Sequence, residues 1–294
     1  MRADRAAFAR DRAPQAGDRD AAGHRALRGS PQQDRRLMLA DGYDCLLFDL
    51  DGVLFRGDEA VPGARETLEA LRGRGARLVF FTNNSSRTPE QVASKLGGLG
   101  IGADGSEVVT SAQATAELLA ARGGGSVYAI GGEGVVQALA GEGLRLVDGD
   151  APGADLVVVG IDEGFTYAKL RTACVLIQSG AGFVATNSDV TYPAPGGLVW
   201  PGAGSLVAAI AAATGREAEV VGKPFAPLFA AALRRAGGER PLVVGDRLDT
   251  DIEGANRLGW DSLLVLSGVT GARELDGSDV RPTHVAPDVS ALLA

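Results

Sequence analysis

Cys45-Leu46-Leu47-Phe48-Asp49-Leu50-Asp51-Gly52-Val53 is the stretch whose reading decides the fold. An apolar run this short, with no polar alternation, fits a strand covered on both faces, and it stops on an Asp-x-Asp-Gly turn. Similar runs recur at Arg77–Thr82, Ser126–Ile130, Asp155–Gly160, Phe183–Thr186, Glu219–Gly222, Leu242–Gly245 and Ser262–Leu266. Helical patterns separate them at Ala64–Arg74, Pro89–Leu99, Ala112–Arg122, Tyr167–Ser179, Ser205–Thr214, Pro227–Ala236 and Asp251–Leu258. Strands buried on both faces, each followed by a helix, imply an α/β fold built on doubly wound parallel sheets.

Composition narrows the class of protein. The chain has 294 residues, of which 45% are hydrophobic, 22% charged and 5% aromatic, which excludes a fibre, a disulfide miniprotein and wholesale disorder. The formal net charge of −8 divides unevenly: residues 1–38 carry nine Arg against five Asp, leaving −12 on the rest. So acidic a body repels nucleic acid but admits a small phosphorylated metabolite wherever a divalent cation and a lysine invert the local field. Apolar runs such as Leu206–Ala213 fall short of the roughly 20 residues that span a bilayer, so no membrane partner is expected. Cys45 and Cys174 sit among apolar neighbours and read as reduced thiols in a cytoplasmic protein. Residues 1–40 hold almost no large apolar side chain and read as a disordered tail. Arg35-Arg36 lacks the apolar stretch of an export signal, and Met38 offers an alternative start.

In a doubly wound sheet, chemistry collects at the carboxyl ends of the strands. Here those ends carry Asp49-Leu50-Asp51-Gly52, Thr82-Asn83-Asn84, Gly222-Lys223-Pro224 and Gly245-Asp246, with Asp251 five residues further on. Asp49 and Asp51 share one side of an extended segment, and close carboxylates need a cation or a shared proton. With Asp246 they form a hard oxygen site suited to Mg²⁺. Thr82 adds a hydroxyl and Lys223 a fixed positive charge, so the set complements a phosphoryl group. Each piece alone also reads blandly, as an Asx turn, an N-cap, a helix-entry lysine or acids at a helix start. An EF-hand is a poorer fit, because Val53, Leu54 and Phe55 stand where that loop needs oxygen ligands.

Taken together, Asp49–Val53, Thr82-Asn83-Asn84-Ser85-Ser86, Gly222-Lys223-Pro224 and Val244–Ile252 resemble the four motifs of the haloacid dehalogenase (HAD) superfamily. The wording is most similar to its NagD-like class IIA phosphatases, and Val109–Gln113 and Ile252–Asn256 strengthen the match over residues 42–294. The resemblance implies a Rossmann-like core with an inserted α/β class II cap, and a Mg²⁺-dependent phosphatase working through an aspartyl-phosphate. Asp49 is then the nucleophile and Asp51 the acid and base. Mg²⁺ is held by Asp49, Asp246 and the backbone carbonyl of Asp51. Thr82, Lys223 and the backbone around Leu50 and Asn83, with Asn84 beside them, bind the phosphoryl oxygens. Asp251 orients Lys223 or the metal's waters.

Thr82 and Lys223 are 141 positions apart, far more than one crossover needs, so an insertion lies between them. The expected division is core 41–113 and 201–294, and cap 114–200. Thr186-Asn187-Ser188-Asp189 occupies the place of the family's substrate-facing cap loop, making Asn187 and Asp189 candidates for the leaving group; Tyr192, Trp200 and Arg247 could shape the pocket. Gly131-Gly132-Glu133-Gly134 is not a dinucleotide fingerprint, since its third glycine would fall on Gln137. The expected substrate is a small phosphate monoester of the glycerol 3-phosphate or phosphoglycolate type, with pyridoxal phosphate and nucleoside monophosphates next. A phosphomutase fits less well, because only 31 positions separate Asp51 from Thr82. A non-hydrolytic phospho-binding module would need neither Asp51 nor the insertion. Pairing as a homodimer through the cap is compatible with the class.

Overall fold

The computed structural model describes residues 38–149, 153–194 and 198–294. In chain order the strands are β1 (Cys45–Phe48), β2 (Phe55–Arg56), β3 (Glu59–Ala60), β4 (Arg77–Thr82), β5 (Val108–Thr110), β6 (Ser126–Ile130), β7 (Arg145–Leu146) and β8 (Leu156–Val159). They continue as β9 (Gly182–Ala185), β10 (Thr191–Ala194), β11 (Leu198–Pro201), β12 (Glu219–Val220), β13 (Pro241–Gly245), β14 (Asp261–Val265) and β15 (His284–Ala286). The helices are α1 (Ala64–Gly73), α2 (Pro89–Gly98), α3 (Ser111–Ala121), α4 (Glu133–Gly141), α5 (Tyr167–Gln178), α6 (Ala203–Thr214), α7 (Ala226–Ala236), α8 (Glu253–Leu258) and α9 (Ala272–Gly277).

Six strands form one parallel sheet in the order β15-β14-β13-β1-β4-β5, and five form a second in the order β12-β9-β8-β6-β7. The hairpins β2–β3 and β10–β11 are antiparallel. In the first sheet Phe48 lies opposite both Val244 and Phe80, so β1, β4 and β13 run out at one level. Asp49, Asn83 and Asp246 therefore leave the sheet along a single edge.

Both faces of β1 are covered, as its apolar run requires. Leu46 and Phe48 join Leu68, Leu71, Val92 and Leu96 from α1 and α2 on one side. Cys45 and Leu47 join Ala112, Leu228, Phe229 and Ala232 from α3 and α7 on the other. That second cluster continues into Val127, Val158 and Val184 of the other sheet, whose far face packs on α5 and α6 through Ala173, Ile177 and Ile210. Helix starts are locally encoded: Thr88 with Gln91 and Thr110 with Gln113 form capping boxes, and Pro89 takes the first turn of α2. Each box contributes about 1 kcal/mol.

Two expected boundaries move. The tail assigned to residues 1–40 ends sooner, because Leu39 donates its backbone N–H to the Ala294 carbonyl at 3.0 Å and Ala40 is buried; residues 1–37 lie outside the described residues. The insertion does not end at residue 200: α6 packs on α5, β8 and β9, and β12 pairs with β9 through Glu219 opposite Val184, so residues 203–220 belong with the second sheet. The expected strand Glu219–Gly222 stops at Val220, leaving Gly222 and Lys223 in the loop that returns to the first sheet.

Candidate active site

Three carboxylates and one ammonium meet at the carboxyl edge of the first sheet. Lys223 Nζ lies 2.6 Å from Asp49 Oδ1 and 2.6 Å from Asp251 Oδ1, and it stacks 4.6 Å above the Phe81 ring. Asp49, Asp246 and Asp251 each offer an oxygen to a cluster within 4.8 Å. All four groups are buried, Lys223 being 2% exposed. Asp251 is held from both sides, since its Oδ2 also accepts the Arg247 backbone N–H at 3.1 Å. It sits in the π-helical turn Leu248–Ile252 that precedes α8, where the sequence pattern suggested a continuous helix from residue 251. Asp251 thus contacts Lys223 directly while also belonging to the carboxylate cluster.

Crowding sets the protonation of these groups. Burial pushes the Asp49 carboxyl well above the usual carboxylate range; Asp251 and Asp246 reinforce the rise and Lys223 opposes it. Burial likewise raises Asp246 to about 7, with the neighbouring Asp251 charge adding to it. Desolvation works against the Lys223 ammonium, but Asp251 and Asp49 outweigh it and hold the amine firmly charged. Asp51 stands apart at the mouth, exposed and making no side-chain hydrogen bond among the described residues. The surrounding protein still raises its carboxyl above the ordinary range, against the pull of Lys95, Lys223 and Arg87.

Once ionised, three carboxylates facing one ammonium would leave an excess of two negative charges, which a divalent cation balances. Asp246 shows where it fits. Its Oδ2 accepts the Val269 N–H at 2.6 Å, while its buried Oδ1 has no hydrogen-bond partner among the described residues. The segment Ser267-Gly268-Val269-Thr270 at the end of β14 makes this arrangement, with Ser267 Oγ bonded to the Gly52 carbonyl at 2.7 Å and Thr270 N–H to the Asp246 carbonyl at 3.1 Å. A Cβ on Gly52 or Gly268 would collide with Asp246 Oδ2, and one on Gly245 with Asp251. The sequence reading missed this segment, although it too follows a strand end of the same sheet.

The loop after β4 connects the two sheets. Thr82 Oγ1, buried, accepts the Asn84 N–H at 3.1 Å, and Asn84 Oδ1 accepts from Ser86. Ser85 Oγ meets Thr186 Oγ1 at 3.0 Å, and Gly134 N–H donates to the Ser86 carbonyl at 3.1 Å. Asn187 braces the loop: it is 1% exposed, and its amide donates to the Asn83 carbonyl at 2.7 Å and accepts the Asp189 N–H. Asp189 is half-buried, bonded to Asn83 Nδ2 at 3.1 Å, and its carboxyl is raised chiefly by burial. Arg247 pairs with Asp249 at the rim, while Tyr192 and Trp200 meet edge to face on the β10–β11 hairpin.

A parallel sheet whose carboxyl edge gathers Asp, Thr, Lys and Asp beneath a second α/β unit defines a phosphoryl-handling enzyme of the capped α/β class. The haloacid dehalogenase-like hydrolase profile matches residues 46–145, and the HAD-hydrolase-like profile matches residues 220–292. The D-glycerol 3-phosphate phosphatase of Mycobacterium tuberculosis is 43% identical over 258 residues, covering 86% of this chain and 72% of that one. The acid sugar phosphatase of Staphylococcus saprophyticus is 39% identical over 254 residues, covering 85% and 97%. The crystal structure of the M. tuberculosis glycerol phosphate phosphatase in complex with magnesium superposes with a TM-score of 0.81 at 42% identity, covering 87% of this chain and 78% of that one. The chain belongs to the haloacid dehalogenase-like hydrolases, in their NagD-like class IIA.

Proposed function

We propose that the chain is a Mg²⁺-dependent phosphatase that hydrolyses a small phosphate monoester of the glycerol 3-phosphate or phosphoglycolate type through an aspartyl-phosphate. The observation that carries it is the pairing of a buried, lysine-bound Asp49 with a free, solvent-facing Asp51 two residues away. Mg²⁺ held by Asp49, Asp246 and the Asp51 carbonyl would neutralise the carboxylate cluster and polarise the phosphoryl oxygens. Asp49 attacks phosphorus in line, forming the acyl phosphate bond as the P–O bond to the alcohol breaks. Asp51, whose raised pKa favours the protonated form, gives its proton to the departing alkoxide. It then takes a proton from water as the water attacks phosphorus and frees Asp49. Lys223 and Thr82 steady the equatorial oxygens, helped by the Leu50 and Asn83 backbone N–H groups, which donate to no carbonyl among the described residues.

The similarity to a glycerol 3-phosphate phosphatase and an acid sugar phosphatase supports a small polyol or acid phosphate as substrate. Asp189, not Asn187, is the cap side chain left to meet the leaving group. The domain division that the strand pairing supports is a core resuming near Val221, with the cap spanning about residues 126–220. Cytoplasmic residence and cap-mediated pairing belong to the same reading; free Cys45 and Cys174 support the first, and exposed Val190 just before the β10–β11 hairpin, with Leu198 and Val199 on it, supports the second. No helix among the described residues is long and apolar enough to cross a membrane.

The test is phosphate release from glycerol 3-phosphate, phosphoglycolate, pyridoxal phosphate and nucleoside monophosphates, with and without Mg²⁺, for wild type and Asp49→Asn. Mg²⁺-dependent turnover lost in the variant is expected. Turnover indifferent to Asp49 would overturn the mechanism.

A further inference from the structure

Asn83 makes three side-chain hydrogen bonds beside the carboxylate cluster. Its Oδ1 accepts the Lys223 backbone N–H at 2.7 Å, and its Nδ2 donates both to the Lys223 carbonyl at 3.2 Å and to Asp189 Oδ2 at 3.1 Å. One carboxamide thus grips the main chain of the phosphate-clamping lysine on both sides and reaches the cap loop at once. The Asn83 backbone is fixed as firmly, its carbonyl accepting from Asn187 Nδ2 at 2.7 Å and Ser111 Oγ at 2.7 Å. Asn83 is 8% exposed, so water does not substitute for these bonds cheaply. No room is left for drift: a Cβ on Gly222 would lie 2.6 Å from Asn83 Oδ1.

We propose that Asn83 is a positioning residue that couples the cap to phosphate binding. Asp189 holds the Asn83 amide, the amide holds the Lys223 main chain, and Lys223 is thereby placed on the phosphoryl group. The inference rests on the proposed phosphatase reading for the role of Lys223. It makes a demand that simple docking of the cap does not: a cap carboxylate that touches no phosphate governs phosphate affinity, and does so only through Asn83.

The experiment is a double-mutant cycle on the full-length, Mg²⁺-loaded enzyme, with inorganic phosphate as the probe in a calorimetric titration. Asn83→Ala is expected to weaken phosphate binding about tenfold and Asp189→Ala about fivefold, while the double variant is no weaker than Asn83→Ala alone. Should Asn83→Ala fail to fold, Asn83→Asp replaces it: that variant keeps the acceptor for the Lys223 N–H but sets a carboxylate against the Lys223 carbonyl and Asp189, and the same loss is expected. Additive effects, wild-type phosphate affinity in Asp189→Ala, or losses that merely follow a falling melting temperature would overturn the proposal. Phosphate titration separates this from the broader reading, because a wild type that binds phosphate in a coupled fashion yet cleaves no ester would refute the hydrolase and leave the coupling intact.

Discussion

Val269 donates its backbone N–H to Asp246 Oδ2 at 2.6 Å, which leaves the other oxygen of that buried carboxylate with no hydrogen-bond partner among the described residues. The arrangement depends on a residue without a side chain next door, since a Cβ on Gly268 would collide with Asp246 Oδ2. Gly268→Ala should therefore displace the carboxylate and weaken Mg²⁺ binding by about 10- to 100-fold, the range typical of groups that orient a metal ligand. Activity measured against Mg²⁺ concentration checks this, with saturating Mg²⁺ restoring much of kcat.

Mg²⁺ binding should depend on pH with a defined sign. Burial, aided by Asp251, lifts Asp246 to about 7 in the metal-free protein, so below that value the ion must displace a proton. Apparent affinity should fall by roughly tenfold for each pH unit below about 7 and flatten above it. Calorimetry in buffers of different ionisation enthalpy would count the proton released.

The same burial costs stability. A carboxyl whose folded pKa is raised from 3.8 to about 7 destabilises the fold increasingly as pH climbs between those values, and the full cost is present above them. In the metal-free protein at pH 8, Asp246→Asn should thus raise stability by about 2 to 4 kcal/mol, seen as a melting temperature higher by several degrees, while abolishing turnover. A variant that melts lower than wild type would contradict this account of the cluster.

Much of this site was legible in the sequence because its groups lie within a few residues of strand ends, where local pattern and chemistry coincide. Asp49, Asp51, Thr82, Lys223 and Asp246 all stand out as candidates that way. Ser267–Thr270 escaped because a Ser-Gly-Val-Thr turn has no side chain that announces metal chemistry; it acts through a backbone N–H. Asn187 reads differently in the structure because whether a polar residue faces a ligand or braces a loop depends on what packs against it, here the Asn83 carbonyl. The end of the cap was misplaced for a related reason. The strand at Glu219–Val220 was visible, but its choice of β9 as partner is a pairing between distant segments that periodicity does not encode.

The two thiols should differ from an exposed cysteine in reactivity. Burial pushes the Cys45 thiol up to about 12, with Asp44 adding to the rise, and burial raises Cys174 as well. At pH 8 Cys45, 1% exposed, should not react with a thiol reagent in the native protein. Half-buried Cys174 should react slowly, and both should react once denaturant is added. Rapid modification of two thiols in the native state would contradict the packing of β1.

The apolar cluster that begins on Leu47 and Phe81 of the first sheet does not stop at the edge of the second; it runs on through α3 and α4 to Val127, Val158 and Val184. The two sheets consequently share the core between them, although each also keeps a cluster of its own on its far face. A second sheet rooted this way is not a detachable module. A chimera that exchanges it between relatives must carry the matching faces of α3 and α4 with it, and specificity in this lineage would shift by substitutions at loop tips more readily than by wholesale transplantation.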